Sequence, residues 1–162
     1  IPNTSVEAFL ACGRIAVVGA SDEKGNFGAT IYRELRSHGY DVVPVHPTAA
    51  TVAGDPCFAD LDRVDPRPDG VMLVVNPAAA VETMQRCAEL GIDHVWLFKG
   101  LGGPGALSDE ALRVAEAHDL SVVAGACPLM FLEPVGWFHR VHRAARRANR
   151  SLEPAGRRPV SR

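Results

Sequence analysis

A chain of 162 residues, 47% hydrophobic and 22% charged, has the length and composition of one globular domain with a buried core. Its apolar runs stop well short of the roughly 20 residues that cross a bilayer, and the opening IPNTSVEAFLACGR has neither the basic start nor the long apolar centre of a secretory leader, so a cytoplasmic protein without membrane contact is expected. The formal charge of −2 is unevenly spread: from His139 onward eight arginines face one acid, Glu153, which leaves the first 138 residues about nine charges negative. A body this acidic is a poor nucleic-acid binder, and an anion must be held there by local donors rather than by a long-range field.

Taken in chain order, short valine-rich runs alternate with amphipathic stretches. RIAVVGA (14–20) reads as the first strand. Phe27, Ile31 and Leu35 then fall on one helical stripe, and Gly39 can end that helix. DVVPVHP (41–47) is the second strand. Segment 48–69, with three prolines and many aspartates, reads as a loop with one short strand and a single turn of helix. GVMLVV (70–75) is the third strand. Asn76 and Pro77 read as N-cap and first helical residue, Val81, Met84 and Ala88 as the buried stripe, and Gly91 as the stop. HVWLF (94–98) is the fourth strand. Ser108 is an N-cap, with Leu107 and Leu112 at staple positions, and LSVVAGA (120–126) is the fifth strand. Continuous apolar strands of this kind are covered on both faces. The order therefore gives an α/β, doubly wound, mostly parallel five-stranded sheet with flanking helices and right-handed crossovers. Residues 136–149 are expected to form a further helix with a basic outer face, and residues 150–162 a disordered tail.

The chemistry concentrates in VVGASDEKGNFG (17–28), where the first strand breaks into a glycine loop and restarts as a helix. Gly19 permits the turn, Gly28 is expected to let the helix pack closely on the sheet, and the helix's first N–H groups favour an anion. Ser21 and Thr30 add hydroxyls, and Lys24 is the loop's cation. The spacing is longer than the dinucleotide fingerprint and lacks the Gly-Lys-Ser/Thr of a P-loop. The second strand ends His46-Pro47-Thr48. It carries no acid to hold free ribose hydroxyls, as NAD enzymes require, which leaves room for a phosphate on the ribose. That fits coenzyme A or NADP.

These stretches, together with GVMLVVNPAAAVETMQRCAELGIDHVWLFKG and VVAGACPLMFLEP, resemble the stand-alone CoA-binding proteins, which are similar to the nucleotide-binding domain of the succinyl-CoA synthetase α subunit. The resemblance implies a Rossmann-like CoA-binding domain over residues 1–135 with coenzyme A or acyl-CoA as ligand. It places the phosphates on Gly19, Ala20 and Ser21, with Lys24 beside them, and on the helix start at Phe27 and Gly28. It brings His46, Pro47 and Thr48 to the adenosine, where this sequence lacks the family's usual lysine. Val75, Asn76 and Pro77 fall on the adenine or pantetheine side, and Lys99 and Gly100 border the thiol end. The ATP-grasp and phosphohistidine domains of the larger ligases are not in this stretch of sequence. The function expected is a non-catalytic CoA carrier or sensor. The alternatives are an NAD(P)-binding redox protein and the CoA-binding subunit of a split acyl-CoA ligase. A homodimer or a partner ligase subunit are the protein partners to consider.

Other features have plainer readings. Cys12, Cys57, Cys87 and Cys127 are too far apart for a zinc or dithiol motif. Cys127 is read as a structural thiol in a Cys-Pro turn, with a mixed disulfide to CoA as the alternative. KGLGGPG (99–105) reads equally as a mobile cover or as a flexible connection. His139 and His142 have no third ligand nearby and read as part of a solvated basic helix rather than a metal site. Trp137 and Phe138 are expected to pack on the body or at a dimer seam.

Overall fold

The computed structural model describes residues 3–100 and 105–132. The expected helix at 136–149, the tail at 150–162, the histidines 139 and 142, Trp137 and Phe138, and the middle of the 99–105 loop lie outside the described residues.

Five strands form one parallel sheet: β1 (Ile15–Val18), β2 (Val42–Val45), β5 (Gly70–Leu73), β6 (His94–Leu97) and β7 (Ser121–Ala124), in the order β2-β1-β5-β6-β7. Every neighbouring pair is parallel and in continuous register, from Ile15 opposite Val42 and Gly70 to Leu97 opposite Ala124. Two apolar layers cover the sheet. Ala16, Val71, Leu73, Val95 and Leu97 turn toward α3 (Pro77–Leu90) and α4 (Asp109–Ala117), which contribute Ala80, Met84, Cys87, Ala111 and Ala115. Ile15, Val17, Met72, Trp96 and Val123 turn toward α1 (Asn3–Leu10) and α2 (Phe27–Ser37), which contribute Val6, Phe9, Ile31 and Leu35. The alternation of side chains along each strand assigns neighbouring residues to opposite layers, so both layers need apolar residues and the strands read as unbroken apolar runs. The doubly wound α/β architecture is the one expected, and among the described residues the five-stranded sheet is wholly parallel.

The caps follow local chemistry. Asn76 Oδ1 accepts from the Ala79 N–H at 2.9 Å, with Pro77 at the first helical position, and Gly91 ends α3 in the left-handed region. Ser108 Oγ accepts from the Ala111 N–H at 3.1 Å. Leu112, however, stays on the surface.

Two features depart from the expectation. Residues 3–10 form α1, where no helix was read. Phe9 meets Trp96 edge-on with ring centroids 5.3 Å apart, and the Trp96 Nε1–H donates to the Ala126 carbonyl at 2.9 Å. An eight-residue helix is marginal alone; this one exists by docking on β6 and β7, with Gly70 of β5 leaving room for Phe9 and Cys12. Segment 48–69 holds a two-stranded antiparallel hairpin, β3 (Thr51–Val52) and β4 (Asp55–Pro56), rather than one strand, followed by the expected single turn, Leu61–Arg63. The hairpin is anchored through Asp55, whose carboxylate accepts from the Tyr32 O–H and pairs with Arg36 at 2.6 Å, both on α2. Burial and that carboxylate raise the Tyr32 pKa.

Candidate functional site

The sheet order reverses at β1: β2 lies on one side of it and β5 on the other. In open parallel sheets the crevice at such a switch, beyond the carboxyl ends of the strands, is where ligands bind. A cavity of about 790 Å³ opens there. Val18 and Gly19 line it at the end of β1, Val45 and His46 at the end of β2, and Val74 and Val75 just beyond β5, with α3 and the 59–62 segment forming its sides.

The turn at its rim is tightly constrained. Gly19 has φ +99°, and a Cβ there would lie 2.2 Å from the Val74 carbonyl oxygen, so only glycine fits. The Gly19 N–H donates to the Val45 carbonyl at 2.9 Å. Gly28 stands against the same turn. An added Cβ would meet the Gly19 oxygen at 2.9 Å and the Ala20 Cα and N at 3.0 Å. The close approach that Gly28 allows is therefore helix against turn, not helix against strand.

Asn26 locks this arrangement. Its Oδ1 accepts from the Ala29 N–H at 2.8 Å and caps α2. Its Nδ2 donates to the Gly19 carbonyl at 3.0 Å and to Ser21 Oγ at 2.9 Å. Ser21 is almost fully buried. Because its oxygen accepts from Asn26, its own O–H proton remains to be donated. Ala29 has its cap, while Phe27 and Gly28 are the first two residues of α2, whose N–H groups a helix leaves without intrahelical partners. The loop is held from outside by Asp22, whose carboxylate accepts from the Ala53 N–H at 3.0 Å.

The other expected residues divide into two groups. His46, Pro47, Val75 and Asn76 line the cavity together with Gly19. His46 Nδ1 accepts from the N–H groups of Thr48 and Ala49, each at 3.2 Å. This assigns the ring proton of the neutral imidazole to Nε2, which is left as a donor. Pro77 serves as the first residue of α3. Lys24, at the loop tip, and Thr48, Lys99 and Gly100 are exposed and do not line the cavity. Lys99 and Gly100 follow β6, two strands along the sheet from β1.

Sequence reasoning passed over three contributors. Asn26 stands directly before the helical stripe, the same signal that identified Asn76. The acids of the cavity, Asp60, Asp62, Glu82 and Glu89, and its single arginine, Arg86, come from a loop and from the outer turns of α3, and no local pattern marks them. Arg86 pairs with Asp62 at 2.6 Å and with Glu89, and these contacts raise its pKa. Phe98 is the third: it is nearly buried and stacks on the half-exposed ring of Phe27, with centroids 5.0 Å apart. Among the described residues no group of three or more His, Cys, Asp or Glu side chains is placed to hold a metal ion, and no helix is long and apolar enough to cross a membrane.

Residues 13–133, which contain this whole arrangement, match the family model of the CoA binding domain. The chain belongs to that family. Its members' likeness extends to larger proteins. An ADP-forming acetate–CoA ligase of Archaeoglobus fulgidus is 28% identical over 118 residues, a match that takes in 70% of this chain and 17% of the ligase. This chain thus matches about one sixth of the length of the ligase it resembles. The uncharacterized protein YneT of Bacillus subtilis is 25% identical over 118 residues and is covered over 81% of its length. Among solved structures, a hypothetical protein from Pyrococcus horikoshii OT3 superposes with a TM-score of 0.71 at 26% identity, covering 80% of this chain and 88% of that one.

Proposed function

We propose that this CoA-binding domain holds coenzyme A or an acyl-CoA with the diphosphate on the turn from Gly19 to Gly28 and the adenosine in the cavity beside it. It acts as a non-catalytic carrier or sensor. The observation that carries this reading is the coincidence of three things at one switch point: a glycine turn that admits no side chain, a helix N-terminus with free donors, and a cavity of about 790 Å³. The donors divide the ligand by charge. Phe27 N–H, Gly28 N–H and the Ser21 hydroxyl suit a diphosphate. The acid-lined cavity suits the neutral adenine, whose amino group is a donor. His46 lines the same cavity, and its Nε2–H can serve the ribose or its 3′-phosphate. Four free cysteines fit a reducing compartment such as the cytoplasm.

The test is calorimetry with CoA, 3′-dephospho-CoA and NAD. CoA should bind more tightly than NAD. Tighter NAD binding would favour a redox protein and overturn the reading. A second reading, the CoA-binding subunit of a split acyl-CoA ligase, is favoured by the match to ligases of which this domain is 17%. It requires a partner that carries the ATP site, and CoA-dependent ATP turnover should then appear only when that partner is added.

A further inference from the structure

Phe27 is 39% exposed although it is the first residue of a helix whose other large apolar side chains are buried. Phe98 covers one face of its ring, with an interplanar angle of 21°. The backing ring is fixed with unusual care. The Phe98 carbonyl accepts from the Ala106 N–H at 2.8 Å, so the chain returns to it after the 99–105 loop. A Cβ on Gly105 would lie 2.4 Å from that carbonyl oxygen, and a Cβ on Gly100 would lie 3.3 Å from the ring itself. The stacked pair is therefore a rigid apolar shelf at the ligand edge of the sheet, formed by the start of α2 and the end of β6.

Its position is continuous with the proposed site. Adenosine in the cavity lies by β2, β1 and β5, and the diphosphate lies on the turn that runs into Phe27. The remainder of the ligand must leave that turn. Beyond β2 the way is taken by Phe58, which pairs with Val45 and bonds to Pro44 and His46. On the other side β5 and then β6 follow at about 4.8 Å intervals, with the shelf above them. We propose that Phe27 and Phe98 receive the acyl group of an acyl-CoA and select one that is planar and apolar, such as an aryl group, over acetyl or a free thiol. The proposal rests on the reading of the site as a CoA site. Stacking one further ring on Phe27 should strengthen binding about three- to tenfold.

The experiment compares the affinities of CoA, acetyl-CoA and benzoyl-CoA by calorimetry for the wild-type chain, Phe27→Ser and Phe27→Leu, with each variant's fold checked by circular dichroism. In the wild type benzoyl-CoA should bind about three- to tenfold more tightly than CoA, and acetyl-CoA about equally with CoA. Phe27→Ser should bring the benzoyl-to-free ratio to one, whatever it does to CoA itself. Phe27→Leu, which keeps apolar area and loses the ring, should leave an intermediate ratio. A wild-type ratio of one, or a ratio that survives Phe27→Ser, overturns the shelf while leaving the CoA site intact. Failure of all three ligands to bind overturns both.

Discussion

Replacement of Gly28 tests the geometry of the turn most directly. An added Cβ would meet three backbone atoms, the Gly19 oxygen at 2.9 Å and the Ala20 Cα and N at 3.0 Å, and none of them can rotate away. Ordinary contact begins near 3.4 Å, so the start of α2 must retreat by about 0.5 Å. For Gly28→Ala the overpacking costs about 1–3 kcal/mol. Removal of a helical glycine returns about 0.5–1 kcal/mol, which leaves a net loss of at most about 2.5 kcal/mol. Gly28→Val adds two more methyl groups and a larger displacement. The retreat separates the Phe27 and Gly28 N–H groups from Ser21. Each hydrogen bond to a charged oxygen contributes about 1.5–3 kcal/mol, so losing one weakens CoA binding by about one to two decades. Urea denaturation measures the first effect and calorimetry with CoA the second. A folded Gly28→Val protein with wild-type CoA affinity would refute the argument that this turn holds the diphosphate.

Asn26→Asp keeps an oxygen to cap Ala29 but cannot donate to Gly19 or Ser21, and it places a negative charge beside the turn. CoA affinity should fall at least tenfold while the variant remains folded, and unchanged affinity would show that the Asn26 amide does not organise the site. Cys87 supplies a pH dependence. Burial pushes its thiol up to about 12 from an ordinary value of 9.0, so the folded state keeps a proton that the unfolded chain releases near pH 9. That stability is fully present below pH 9 and declines as pH rises from 9 toward 12, with a limiting slope of about 1.4 kcal/mol per pH unit. Denaturant titrations between pH 7 and 10.5 should show Cys87→Ala, less stable at pH 7, losing less stability with pH than the wild type; parallel profiles would refute this account.

What the sequence determined by itself is what local physics writes into consecutive residues. Runs such as Ile15–Val18 and Gly70–Leu73 show strands covered on both faces, because every side chain in them needs an apolar layer. Asn76, Gly91 and Ser108 mark helix ends, because a cap bonds to N–H or carbonyl groups only a few residues away. The glycines of the first turn and the family are legible for the same reason: motif and strand adjoin. Tertiary structure decided the rest. Residues 3–10 become a helix because β5 and β6 offer Phe9 a place to dock. The acids and Arg86 of the cavity meet because the 59–62 segment folds across from α3. Asn26 could be seen to cap a helix, but not to hold Gly19 and Ser21 as well. Phe27 and Phe98 stack across distant parts of the chain because the sheet order brings the end of β6 near the start of α2. Those contacts depend on which strands become neighbours, and strand order is set by the packing of the whole sheet rather than by any one stretch of sequence.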